Sequence, residues 1–208
     1  MYNYIILGIA AIIVAWVIGS YLVVRNLEEP SYTVIEKKDG YEVRQYKDYI
    51  IAETEVTGNY DKGLNQGFSV IADYIFGNNT TKTSISMTAP VLESRSEKIS
   101  MTVPVINTVD SEKTRKISFV LPSKYTLETL PKPNNSAVSL KEVKGRKVAV
   151  RRFTWYATEK RIEKQTDILE KKLVTDKVTI TDVPQVAQYN PPLSFPFTLR
   201  NEIIIPIE

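Results

Sequence analysis

The chain has 208 residues, 43% of them hydrophobic and 25% charged, which suits one globular domain plus an appendage and excludes a disordered or fibrous protein. Its net charge of +3 arises from 27 basic and 24 acidic side chains mixed along the chain, too mild a balance to point to nucleic acid. Cysteine and histidine are both absent, which excludes disulfides, thiolate chemistry, Ser-His-Asp catalysis and the commonest metal ligands.

From Tyr4 to Val24 the chain runs 21 residues without a charge. As a helix this stretch would span about 30 Å, the thickness of a bilayer's hydrocarbon core. Tyr2, Tyr4 and Tyr21 stand near its two ends, where amphipathic rings prefer to lie. A cleaved secretory signal is the competing reading. It fits less well, because no Lys or Arg precedes the run and the run exceeds a usual signal core. The expectation is a retained single-pass membrane anchor at 4–24, a juncture at 25–31 and a domain at 32–208. Arg25 is offset by Glu28 and Glu29, so the side of the membrane stays open.

Along the domain, residues 32–36 and 41–46 alternate as strands around the Asp39-Gly40 turn, and 49–57 forms a third strand ended by Gly58-Asn59. Leu64, Phe68, Ile71 and Ile75 then make one apolar stripe of a helix over 61–76, stopped by Gly77-Asn78. Two near-copies follow, 85–91 (ISMTAPV) and 99–105 (ISMTVPV), both read as strand ends or edges because each contains a proline. Residues 116–122 read as a strand and 131–137 as a loop. Strand 146–156, a helix over 157–174 and a last strand at 201–207 complete the chain. Residues 146–156 lie on 50–60 at an offset of 96, placing Tyr156 on Tyr60. The repeated order of strand, helix and strands predicts two similar halves in one antiparallel α+β domain.

Several of these segments resemble the SOUL haem-binding family. The resemblance rests on 41–46 (YEVRQY), 74–78 (YIFGN), the Met-Thr-x-Pro-Val element at 87–91 and 101–105, and 117–122 (ISFVLP). It continues through Val148-Ala149-Val150 and Phe153, 189–192 (YNPP) and 200–202 (RNE), in the family's order along nearly the whole domain. It implies a distorted antiparallel β-barrel of eight or nine strands, with two flanking helices and a pseudo-two-fold axis. The fold is similar to that of gyrase-inhibitor-like effector-binding domains. The implied ligand is haem or a related tetrapyrrole, held by an apolar groove beside the first helix. Some members use an axial histidine, which this chain lacks. Binding here is therefore expected to be reversible and without His or Cys ligation.

The first helix offers Lys62, Gly63, Leu64, Gly67, Phe68 and Ile71 as haem-contacting residues. Leu64 and Phe68 supply apolar surface, the glycines leave room for a flat ligand, and Lys62 can meet a propionate; each also has an ordinary use in packing or solvation. Met87, Met101, Tyr60, Tyr74 and Tyr156 are conceivable iron ligands, with packing the plainer use of the methionines. Two other classes stay open. A hydrolase would draw on Glu53 and Glu55, which share one face of a strand. A membrane-tethered scaffold would use Lys160, Arg161, Lys164, Lys171 and Lys172 on the second helix, toward anionic lipid or a partner. Arg200 and Glu202 read as a structural ion pair.

Overall fold

Helix α1 (Tyr2–Val24) leads the structure, a computed structural model that describes residues 2–81, 96–109 and 114–208. It is long and apolar enough to cross a membrane, and nearly all of it stands outside the domain. After it come β1 (Tyr32–Lys38), β2 (Tyr41–Tyr46), β3 (Tyr49–Thr57), helix α2 (Tyr60–Ile75) and the short β4 (Asn79–Thr80). The middle of the chain supplies β5 (Val105–Val109), β6 (Thr114–Val120), β7 (Lys132–Pro133), β8 (Ser139–Val143) and β9 (Lys147–Phe153). Helix α3 (Glu159–Thr175), β10 (Gln185–Gln188) and β11 (Asn201–Pro206) complete it.

Nine strands form one antiparallel sheet in the order β1-β2-β9-β11-β10-β5-β6-β3-β8. Strands β4 and β7 pair separately. The order is symmetric about the β10–β5 pair: β9-α3-β10-β11 on one side answers β3-α2-β5-β6 on the other. The first strands are exchanged, since β2 precedes β3 but pairs with β9, while β8 precedes β9 but pairs with β3. This is the two-fold relation expected from the offset of 96. The end strands β1 and β8 do not meet, so the sheet curls into a half-barrel instead of closing.

Each helix covers its own half of the sheet. Ile71, Tyr74 and Ile75 of α2 pack with Ala52, Val56, Ile117 and Phe119, while Leu169 and Leu173 of α3 pack with Ala149, Ile203 and Ile205. Ile204, Val148, Tyr46 and Tyr189 form a third cluster together with Val103 and Leu27. Strand β11 is thus buried along its whole length, and from Ile203 onward it reads as an apolar run.

The predicted helix boundaries lie within two residues of those observed. One strand expectation is corrected: residues 99–104 form no strand, Thr102 makes only an isolated bridge to Glu28, and β5 starts at Val105. Pro104 has no N–H to give to a ladder at that point. The companion strand at 85–91, with Met87, lies outside the described residues. Strands β4, β8 and β10 had no counterpart in the sequence reading, β7 lies within the stretch 131–137 expected to be a loop, and the strand expected over 146–156 ends at Phe153.

Candidate functional site

Helix α2 begins at an N-cap, where the Asn59 side chain accepts a hydrogen bond from the Lys62 amide at 3.1 Å. Its inward stripe contains Tyr60, Gly63, Gly67, Ile71, Tyr74 and Ile75. Gly67 lies so close to β6 that an added Cβ would stand 2.5 Å from Ile117 Cγ1; one at Gly63 would meet Val56 at 3.4 Å. Both glycines therefore face the sheet and set how closely the helix approaches it. Ile71 is fully buried and Lys62 is exposed.

Of the six sequence candidates, Leu64 and Phe68 carry the accessible apolar surface. Tyr60, Leu64 and Phe68 follow at steps of four along one flank. Phe68 remains 39% exposed although its ring lies 5.1 Å from that of buried Phe119. Tyr60, at the head of this flank, reaches toward the symmetry axis, where its hydroxyl accepts a 2.7 Å hydrogen bond from Gln188 Nε2 on β10.

At this axis a cleft of about 550 Å³ opens between the start of α2 and the side of α3. Tyr60 lines it from α2, Asn107 and Val186 from the sheet, and Ile162, Glu163 and Asp167 from α3. Arg115 joins its two edges, 5.3 Å from the Tyr60 ring centre and 2.6 Å from Glu159. Burial pushes the Tyr60 phenol up to about 12, so it holds its proton at neutral pH. Asn107 is nearly fully buried, and its side-chain oxygen accepts no hydrogen bond. Sequence reasoning missed Asn107, because β5 lies next to an irregular segment that was itself read as strand. A hollow of about 540 Å³ lies elsewhere, between residues 28–31 and 121–128, with Glu28, Glu29 and Glu128 in its lining.

The other candidates fall into structural roles. Tyr74 is buried and donates to the Pro131 carbonyl at 3.0 Å, Tyr156 is exposed, and Met101 sits on the irregular segment before β5. Glu53 is nearly buried, 2.5 Å from Lys141 and hydrogen-bonded by Ser118, while Glu55 is exposed and 3.9 Å from Lys116. Each carboxylate thus has its own lysine, which is the ordinary arrangement of sheet-face charges. Among the basic residues of α3, Lys172 bridges to Asp39 and Arg161 donates to the Tyr156 carbonyl, so part of that face is tied into the domain. No group of acidic residues suited to a metal ion occurs among the described residues.

The chain matches the family model described as "SOUL heme-binding protein" over residues 27–95 and 92–206. None of the curated proteins is similar enough in sequence to match it. Among solved structures it is similar to the C-terminal domain of EcmrR, at 7% identity and a TM-score of 0.60, covering 85% of this chain and 98% of that one. It is also similar to a hydrolase from Listeria innocua, at 12% identity and a TM-score of 0.51, covering 84% and 94%. At such identities these likenesses describe the fold alone.

Proposed function

The chain belongs to the SOUL haem-binding family, and from that premise we propose that it holds haem or a related tetrapyrrole reversibly in an apolar groove beside α2, at a membrane surface. The observation that carries this reading is the flank of α2, where Phe68 stays exposed beside a buried aromatic ring with Leu64 one turn before it. Gly63, Gly67 and Ile71 hold this flank at the sheet, and Lys62 stands within one turn of Leu64 as a partner for a propionate. Burying on the order of a few hundred Å² of macrocycle, at about 25 cal/mol per Å², gives several kcal/mol before the costs of association. That suits reversible holding, no tighter than the micromolar range. Without His or Cys, and with Tyr60 protonated, the macrocycle's faces carry the binding. The uncharged helix α1 supports the membrane part of the reading. An absorbance titration of the full chain in detergent with haemin tests the site. Phe68→Ala is expected to weaken binding about three- to tenfold while leaving the fold intact, and unchanged affinity would place the ligand elsewhere.

A second reading, a small cationic effector in the interhelical cleft, is favoured by one specific feature: the unpartnered Asn107 oxygen beside Glu163 and Asp167. Loss of binding of a cationic aromatic dye on Asp167→Asn, with haemin binding unchanged, would support it.

A further inference from the structure

Helix α1 is fastened to the domain well below its C-terminal end. The Trp16 indole donates to the Leu193 carbonyl at 2.9 Å, and the Phe195 amide donates to the Ser20 hydroxyl at 2.8 Å. The rings of Trp16 and Phe195 meet edge-on at 5.2 Å. The segment making these contacts has no charge from Tyr189 to Leu199. Its side chains turn outward: Leu193 is 87% and Phe197 66% exposed. Trp155 joins them, its ring 4.7 Å from Phe197, with Tyr156 beside it.

We propose that residues 191–197, with Trp155 and Tyr156, form an apolar wedge inserted into the bilayer leaflet that receives the C-terminal end of α1. This rests on the reading of α1 as a membrane span. Given that, the geometry leaves little choice. Were the membrane surface to stop at Trp16 and leave the segment in water, only Tyr2–Ala15 would remain to cross. That stretch measures about 21 Å against a core of about 30 Å. With all of α1 used, Ser20 lies about 6 Å and Trp16 about 12 Å below Val24, so the segment fastened to them lies within the lipid.

The backbone of the segment is prepared for such a place. Pro191, Pro192 and Pro196 have no N–H. The amides of Ser194 and Thr198 donate to the Pro191 and Phe195 carbonyls, and that of Phe195 to Ser20. The Leu193 and Phe197 amides have no acceptor among the described residues, which sets this irregular backbone at the interfacial level of the leaflet, with its apolar side chains reaching toward the hydrocarbon core. Trp155 sits at a φ of 75°, a conformation rare for a bulky residue, and is clamped there. Its amide donates to the Pro196 carbonyl, and its own carbonyl accepts from Asn201. An indole held so firmly, yet partly exposed, is placed as an interfacial anchor. Arg25 and Arg152, without an ion-pair partner among the described residues, line a hollow at the end of α1, where phosphates of the headgroups would lie.

Because the chain has no cysteine, single labels are easily placed. The full chain carrying Leu193→Cys, Phe197→Cys, Ile9→Cys or Val174→Cys, each labelled with an environment-sensitive fluorophore, is reconstituted into vesicles containing bromine-bearing lipids. The expected result is quenching at 193 and 197 about as strong as at 9, with the label at 174, near the far end of α3, unquenched. Quenching at 9 alone, with 193 and 197 behaving like 174, overturns the wedge and leaves the anchor. A label at 9 that escapes quenching overturns the anchor, and the wedge with it.

Discussion

The least expected single residue is Glu202, wholly buried in β11. Arg44 grips it with two hydrogen bonds at 3.0 and 3.3 Å, Arg200 adds one at 3.0 Å and the Tyr189 hydroxyl another at 2.8 Å. Burial alone would push this carboxyl up, but Arg44 and Arg200 outweigh it and hold it below the usual value. A depressed carboxyl contributes stability that is full above its unfolded pKa and is lost as pH falls through the folded one. The urea midpoint of the wild-type chain should therefore fall with acidification below about pH 4.5, and Glu202→Gln should flatten that part of the profile. Glu202→Ala leaves buried Arg44 with Glu42 as its one remaining carboxylate partner among the described residues and is expected to cost about 2–4 kcal/mol in chemical denaturation. The Arg200–Glu202 pair was legible in sequence because the two residues share a strand face. Arg44 was not, since nothing local marks a partner 158 positions away.

At the scale of elements, the two glycines of α2 separate packing from ligand room. Gly67→Ala drives a Cβ into the branched Ile117 side chain and should destabilise by about 1–3 kcal/mol, outweighing the better helix propensity of alanine. Gly63→Ala meets only ordinary contact and should be neutral or stabilising by up to about 1 kcal/mol. Thermal melts of both variants decide this; equal melting temperatures would mean the helix lies farther from the sheet. Helices α2 and α3 and strands β2, β3 and β11 were legible because cap, stripe, alternation or an apolar run marked each one. Strand β8 (SLKEV) escaped because it is an edge with mostly exposed side chains, and β10 because four residues carry too little pattern.

At the scale of the whole molecule, the duplication was visible as element order, but the exchange of first strands between halves was not. Pairing of β2 with β9 and of β8 with β3 depends on contacts across about a hundred residues, which no local signal encodes. The same limit applied to the cleft on the symmetry axis, assembled from β5, β10 and both helices. Met101 belongs to the irregular segment before β5 and is not among the residues proposed to hold the ligand, so Met101→Ala should leave ligand affinity unchanged in the same titrations. The most direct test of tetrapyrrole holding without a strong axial ligand compares haemin with metal-free protoporphyrin IX on the full chain in lipid nanodiscs. Both should bind in the micromolar range, with dissociation constants within about threefold of each other. Failure of the folded protein to bind either porphyrin, or binding of haemin alone with a strong axial-ligand spectrum, would contradict it.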